Sequence, residues 1–170
     1  MRAASGSASG PPGGGGGGFD GTDWAGWQAD WCGIIEVICD AYREHGPDNS
    51  EKSYVDRVFY KLYELGVPAV RERPLLYTVG GVSVSCGRID LEIAQKYLFE
   101  FKIVPPTPKN LRKNSRQLMR YLRFYAQEGI PLQRAALVYL YANEVRIVEV
   151  STEDDKKHRY SPYGRNPDSW

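Results

Sequence analysis

Sulfur and imidazole are scarce in this chain of 170 residues: three cysteines, Cys32, Cys39 and Cys86, and two histidines, His45 and His158, with no CxxC or HxxH pair among them. A structural zinc site, an iron–sulfur cluster and a disulfide framework all need more such ligands at closer spacing, so none is expected. Free thiols fit a compartment where they stay reduced. Net charge is also nearly missing, because 22 Lys and Arg face 21 Asp and Glu for a formal +1. Strong global attraction to a polyanion or a membrane surface is therefore not expected, and any such site must come from local asymmetry. Long apolar runs are absent as well: Ala135 to Ala142 is far shorter than the roughly 20 residues of a membrane-spanning helix. The N-terminal Gly/Ser/Ala stretch has no apolar signal-peptide core. The expectation is a soluble intracellular protein with no membrane partner.

Nine of the 18 glycines fall in the first 22 residues, including the run Gly13 to Gly18. Residues 1–22 read as a disordered Gly-rich leader that cannot bury a core. Residues 23–150 read as a single domain, and residues 151–170, which lose all periodicity, as a C-terminal tail. Early in the domain Trp24, Trp27 and Trp31 recur at i, i+3 and i+7 as one helical stripe. The indoles either pack on the domain or anchor a protein partner.

Ile34, Ile35, Val37, Ile38 and Tyr42 predict a helix that stops at Gly46-Pro47. Asp48, Asn49 and Ser50 are three candidate N-caps for a second helix running to about Leu65, with Val55, Val58 and Leu62 as its buried stripe. Glu51 shares that face one turn above the core. It either caps the helix or points into a site. From Val70 to Val104 the pattern predicts three strands turning at Gly80-Gly81 and Ala94-Gln95-Lys96. A helix from about Lys109 to Gln127 follows the prolines at 105, 106 and 108, and strands at Ala135 to Tyr141 and Val145 to Val150 complete the order α-α-β-β-β-α-β-β. This is an α/β fold with a mixed central sheet flanked by helices.

In the strand beginning at Tyr97, Tyr97, Phe99, Phe101 and Ile103 take one face and Leu98, Glu100, Lys102 and Val104 the other. In the strand before it, Ile89, Leu91 and Ile93 are expected to share one face and Asp90 and Glu92 the opposite one. If Ala94, Gln95 and Lys96 form a three-residue loop, Asp90 lies opposite Glu100; a two-residue loop would put it beside Phe101 on the wrong face. Two close carboxylates repel unless a proton or a cation lies between them, and they suit a hard ion such as Mg²⁺ or Mn²⁺. Lys102, one pleat on, could offset charge developing on a bound group. The alternative is a surface salt-bridge cluster, since Asp, Glu and Lys are ordinary on a solvated strand.

Asp90 followed by Glu100-Phe101-Lys102 resembles the D…ExK signature of the PD-(D/E)XK nuclease superfamily. Gly87-Arg88-Ile89-Asp90 is similar to the GxxD of RecB-type members, and Gln117-Leu118-Met119-Arg120-Tyr121 to their QxxxY motif. More closely, Ile34 to Val150 resembles the GxxExxY group, carried by Ile34-Ile35, the His45-Gly46-Pro47 turn, Glu51-Lys52-Ser53-Tyr54, Gly66-Val67-Pro68 and Glu72. The glycine expected three residues before Glu51 is here Asp48.

The resemblance implies a restriction-endonuclease-like core and Mg²⁺-dependent hydrolysis of DNA phosphodiesters that leaves a 5′-phosphate. Asp90 and Glu100 would ligate the metal, with Glu51 completing or orienting its shell, so that Glu51, Asp90, Glu100 and Lys102 form the catalytic set. Gln117 and Tyr121 would steady the site or the nucleic-acid backbone. Bacterial, archaeal and large-DNA-virus members are the expectation, which places the protein in cytoplasm or nucleus, or in a virion. The rival from a different class is a catalytically idle DNA-binding or structural protein that keeps the fold. A homodimer is compatible with either.

Charge asymmetry supplies a DNA path. Residues 105–134 carry Lys109, Arg112, Lys113, Arg116, Arg120, Arg123 and Arg134 against Glu128 alone, a local net of +6. The first six fall within about 100° of helical arc. They form either a phosphate-contacting ridge or a solvated helix face.

Overall fold

Helix signals in the first third of the domain act where expected. The computed structural model describes residues 30–151 and a strand at 161–165. The leader, Trp24 and Trp27 lie outside the described residues, as does most of the expected tail. Helix α1 (Trp31–His45) starts at Asp30, whose side chain accepts from the Gly33 N–H, and ends at Gly46 with a positive φ of 75°. Of the three candidate caps for α2 (Glu51–Glu64), Ser50 does the capping and accepts from the Ser53 N–H. Trp31 is part of the body: its ring stacks on Phe99 at 5.0 Å and meets Tyr97 at 5.6 Å, so this indole is not a free anchor for a partner.

The strands β1 (Ala69–Val79), β2 (Val82–Ile93) and β3 (Tyr97–Lys102) form an antiparallel meander. Helix α3 (Pro108–Gln127) then crosses over to β4 (Arg134–Tyr141), which pairs parallel to β3, and β5 (Glu144–Val150) returns antiparallel to β4. A parallel neighbour requires such a crossover, and a helix is its usual form. The sequence reading stopped at Val150; the structure adds β6 (Ser161–Arg165) antiparallel to β5. Pro162 and Gly164 disrupt the alternation by which a strand is recognised. The sheet order is β1-β2-β3-β4-β5-β6, mixed as expected.

Two apolar layers sandwich this sheet. On one face Leu91, Ile93, Phe99, Phe101, Val138 and Ile147 pack under α1 and α2; on the other Leu98, Leu137, Tyr139 and Val148 pack under Leu118, Leu122 and Tyr125 of α3. Each large side chain buried here stabilises the fold by about 1.5 to 3 kcal/mol. One alternation fails. Ile89 belongs to the α3 layer, not to the layer of Leu91 and Ile93. The β1–β2 ladder skips the pair Glu72/Asp90, where Glu72 has a left-handed φ of 55°, so the sheet twists locally and Ile89 changes sides. Among the described residues no helix is long and apolar enough to cross a membrane.

Candidate active site

The β2–β3 connection is the three-residue loop, with Ile93 paired to Tyr97, Glu92 to Leu98 and Leu91 to Phe99. Continued by one residue, this register sets Asp90 opposite Glu100, and there the ladder stops. The strands part, and the Asp90 carboxylate fills the gap by accepting the Phe101 N–H on Oδ2 at 2.8 Å. Lys102 reaches back along the strand, and its Nζ donates to Glu100 Oε1 at 2.8 Å while lying 3.8 Å from Glu51 Oε2 and 4.0 Å from Asp90 Oδ2. One ammonium thus serves three carboxylates contributed by α2, β2 and β3.

Glu51 comes to this point because Ser50, one residue earlier, caps the helix. Its Oε1 accepts the Ile103 N–H at 3.3 Å, just past the end of β3. The turn before α2 is tied down by the chain around it. Tyr54 donates its hydroxyl to the Gly46 carbonyl at 2.7 Å and accepts the Asn49 N–H at 3.3 Å, while the Asn49 amide donates to the carbonyls of His45, Gly46 and Pro47. Asp48 takes φ 66° inside this turn. A short polar side chain tolerates that left-handed conformation, so the absence of a glycine does not undo the turn.

Helix α3 closes the site from the other face. Gln117 donates through Nε2 to Glu100 Oε1 at 2.5 Å and to the Tyr121 hydroxyl at 2.9 Å. Tyr121 is buried, and its ring lies against Gly87, where a Cβ would come within 2.5 Å of Cε1. The two sequence motifs, GxxD on β2 and QxxxY on α3, are therefore one contact: glycine makes room for the tyrosine that holds the glutamine that holds Glu100. Of the two roles expected of Gln117 and Tyr121, these contacts are those of steadying the site.

The electrostatics follow from burial. Desolvation, and then the charge of Asp90, push the Glu100 carboxyl up to about 7, Lys102 opposing both. Asp90 is raised by desolvation, with the Phe101 N–H and Lys102 pulling the other way. Burial alone would lower Lys102, but attraction to Glu100, Asp90 and Glu51 outweighs it and the net direction is up. Among the described residues Glu100 Oε2 is buried without a hydrogen-bond partner.

Donor chemistry here fits a hard divalent cation: carboxylate oxygens of Asp90, Glu100 and Glu51, one of them orphaned. They do not stand as a closed cage. Among the described residues no three Asp, Glu, His or Cys side chains converge tightly enough to hold an ion, and the Lys102 ammonium lies among these three carboxylates.

A second buried carboxylate escaped the sequence reading as a centre of its own. One nitrogen of Arg73, Nη1, donates to both Glu92 oxygens, at 2.7 and 2.8 Å, and the Tyr125 hydroxyl donates to Oε2. Gln117, Tyr121 and Tyr125, at i, i+4 and i+8, form one stripe of α3 that serves both glutamates. The cations at 109, 112, 113, 116, 120 and 123 are all exposed on the same helix.

A mixed sheet between helices, with Asp, Glu and Lys where two strands part, defines an α/β fold of restriction-endonuclease type. The family model of the PD-(D/E)XK nuclease superfamily matches residues 30–138, and the chain belongs to that superfamily. No curated protein matches the chain by sequence. A solved structure titled "Crystal structure of SSO0001" is similar at 16% identity over 76% of this chain and 88% of that one, with a TM-score of 0.38.

Proposed function

We propose that this protein is a Mg²⁺-dependent DNA nuclease of the GxxExxY group, with Mn²⁺ able to substitute. The observation that supports this most is the convergence of Lys102 with Glu51, Asp90 and Glu100, whose other oxygen, Oε2, is buried with no hydrogen-bond partner among the described residues. Asp90 and Glu100 would hold the ion, and Glu51 would complete or orient its shell. When bound, such an ion polarises a phosphate oxygen and makes water acidic enough to act as a nucleophile near neutral pH. Lys102 supplies N–H donors on the substrate side and offsets negative charge as it grows on the phosphate. Gln117 and Tyr121 fix the rotamer of Glu100. The basic ridge of α3 holds flanking phosphates without reading sequence.

The test is cleavage of single-stranded, duplex, flapped and branched DNA with Mg²⁺ or Mn²⁺. Chelator, Asp90→Asn, Glu100→Gln and Lys102→Ala should each lower the rate by on the order of 10²-fold or more while circular dichroism is unchanged. Absence of cleavage on every substrate with either metal would hand the fold to the idle DNA-binding or structural role.

A further inference from the structure

Beyond its Leu75/Leu76 bulge the β1–β2 hairpin leaves the body of the sheet. The β3 ladder engages β2 only over Leu91–Ile93, and β1 is the outermost strand, so among the described residues the distal hairpin is a free two-stranded ribbon. Its turn, Gly80-Gly81 with φ 56° and 82°, is the tight two-residue kind that suits a twisted ribbon. The register pairs Tyr77 with Val84 and Val79 with Val82 on one face, and Leu76 with Ser85 and Thr78 with Ser83 on the other. One face is thus wholly apolar and the other mainly hydroxyl. That alternation is the signature of a half-buried strand, yet Tyr77, Val79, Val82 and Val84 are 41%, 57%, 64% and 37% exposed.

Charge narrows the occupant. From Pro74 to Gly87 there is no charged residue, whereas Arg71, Glu72 and Arg73 lie just before and Arg88 just after. A nucleic-acid contact would call for cations, which this ribbon lacks. The charges and proline that guard an edge strand against pairing stop at Pro74, and the distal edge is unguarded. A neutral aliphatic face is complementary to itself, as an isologous twofold contact requires.

We propose that the ribbon is a self-association arm, packing face to face on the same ribbon of a second copy so that Tyr77 of each covers Val79 and Val82 of the other. This stands independently of the nuclease reading. The apolar face offers on the order of 300 Å² per copy, and two such faces stay below the roughly 1,200 Å² of a stable complex. The dimer is therefore weak, of the transient class.

Sedimentation velocity of the full chain from about 1 to about 300 µM should show a mass rising from monomer toward dimer. Val82→Glu and Val82→Lys, each exposed and each retaining the wild-type melting temperature, should remain monomeric. Wild-type protein that stays monomeric throughout, or Val82→Glu that still dimerises, would overturn the arm. So would Val82→Glu that weakens DNA binding with the mass unchanged, which would assign the ribbon to nucleic acid.

Discussion

Two glutamates, Glu92 on β2 and Glu100 on β3, are equally buried at 2% exposure, face the same helix, and differ in one respect. Glu92 has its own cation, with both oxygens engaged by Arg73 Nη1 and one also by the Tyr125 hydroxyl. Glu100 shares a single lysine with two other carboxylates and keeps one oxygen unpaired. A buried carboxylate with both oxygens hydrogen-bonded is part of the scaffold. One left short of partners costs stability, which is the pattern expected of a ligand site.

Glu92→Ala should break this contrast hardest. It leaves the Tyr125 hydroxyl without its acceptor, removes the partner of the part-exposed Arg73 and opens a buried space, and urea unfolding should show a loss of about 2 to 3 kcal/mol. Gly87→Ala probes the other glutamate through its support, since the new Cβ meets Tyr121 at 2.5 Å on a backbone of φ 147°. The expected loss is about 2 kcal/mol, with cleavage reduced because Gln117 is displaced from Glu100.

Glu100→Gln should go the opposite way and stabilise the metal-free protein. The folded carboxyl titrates at about 7, above its ordinary value, so its contribution is complete below the usual carboxylate range and is lost as pH rises through about 7. In chelator the wild type should lose about 1 to 2 kcal/mol between about pH 5 and about pH 8, and the Gln variant should lose less, keeping only the part that belongs to Asp90. A pH-independent difference between the two would mean that Glu100 is not the group responsible. The smallest effect on stability, within about 0.5 kcal/mol, is expected of Arg112, Arg116 and Arg120 replaced together by Gln, which lie outside both clusters. There the readout is DNA binding, whose dependence on log salt should flatten by about three units.

The sequence made Glu100 legible and left Glu92 obscure for a physical reason. Asp90, Glu100 and Lys102 lie within thirteen consecutive residues, and once the loop is three residues long the pleat alone sets them together. The α2 stripe and the order of elements as far as β5 were read from local signals of the same kind, which also put Ser50 among three candidate caps. Glu92 depends on Arg73, nineteen residues away, and on Tyr125, thirty-three away, across a strand whose alternation is broken at Glu72. No local pattern encodes such a meeting. Likewise, the choice between cap and site for Glu51 is made by Ile103 and Lys102, fifty residues downstream.

Asp90 substitutes for a rung of the β-ladder as well as carrying charge, because its Oδ2 accepts the Phe101 N–H where the strands part. Any catalytically dead form intended to trap nucleic acid must therefore preserve an acceptor at that position. Alanine would orphan the Phe101 N–H, at a cost of about 1 to 3 kcal/mol, and let the ends of β2 and β3 drift, confounding lost chemistry with lost architecture. Asparagine retains a carbonyl oxygen for the Phe101 N–H while removing the charge, so a complex captured with it would report the geometry of the working strand ends.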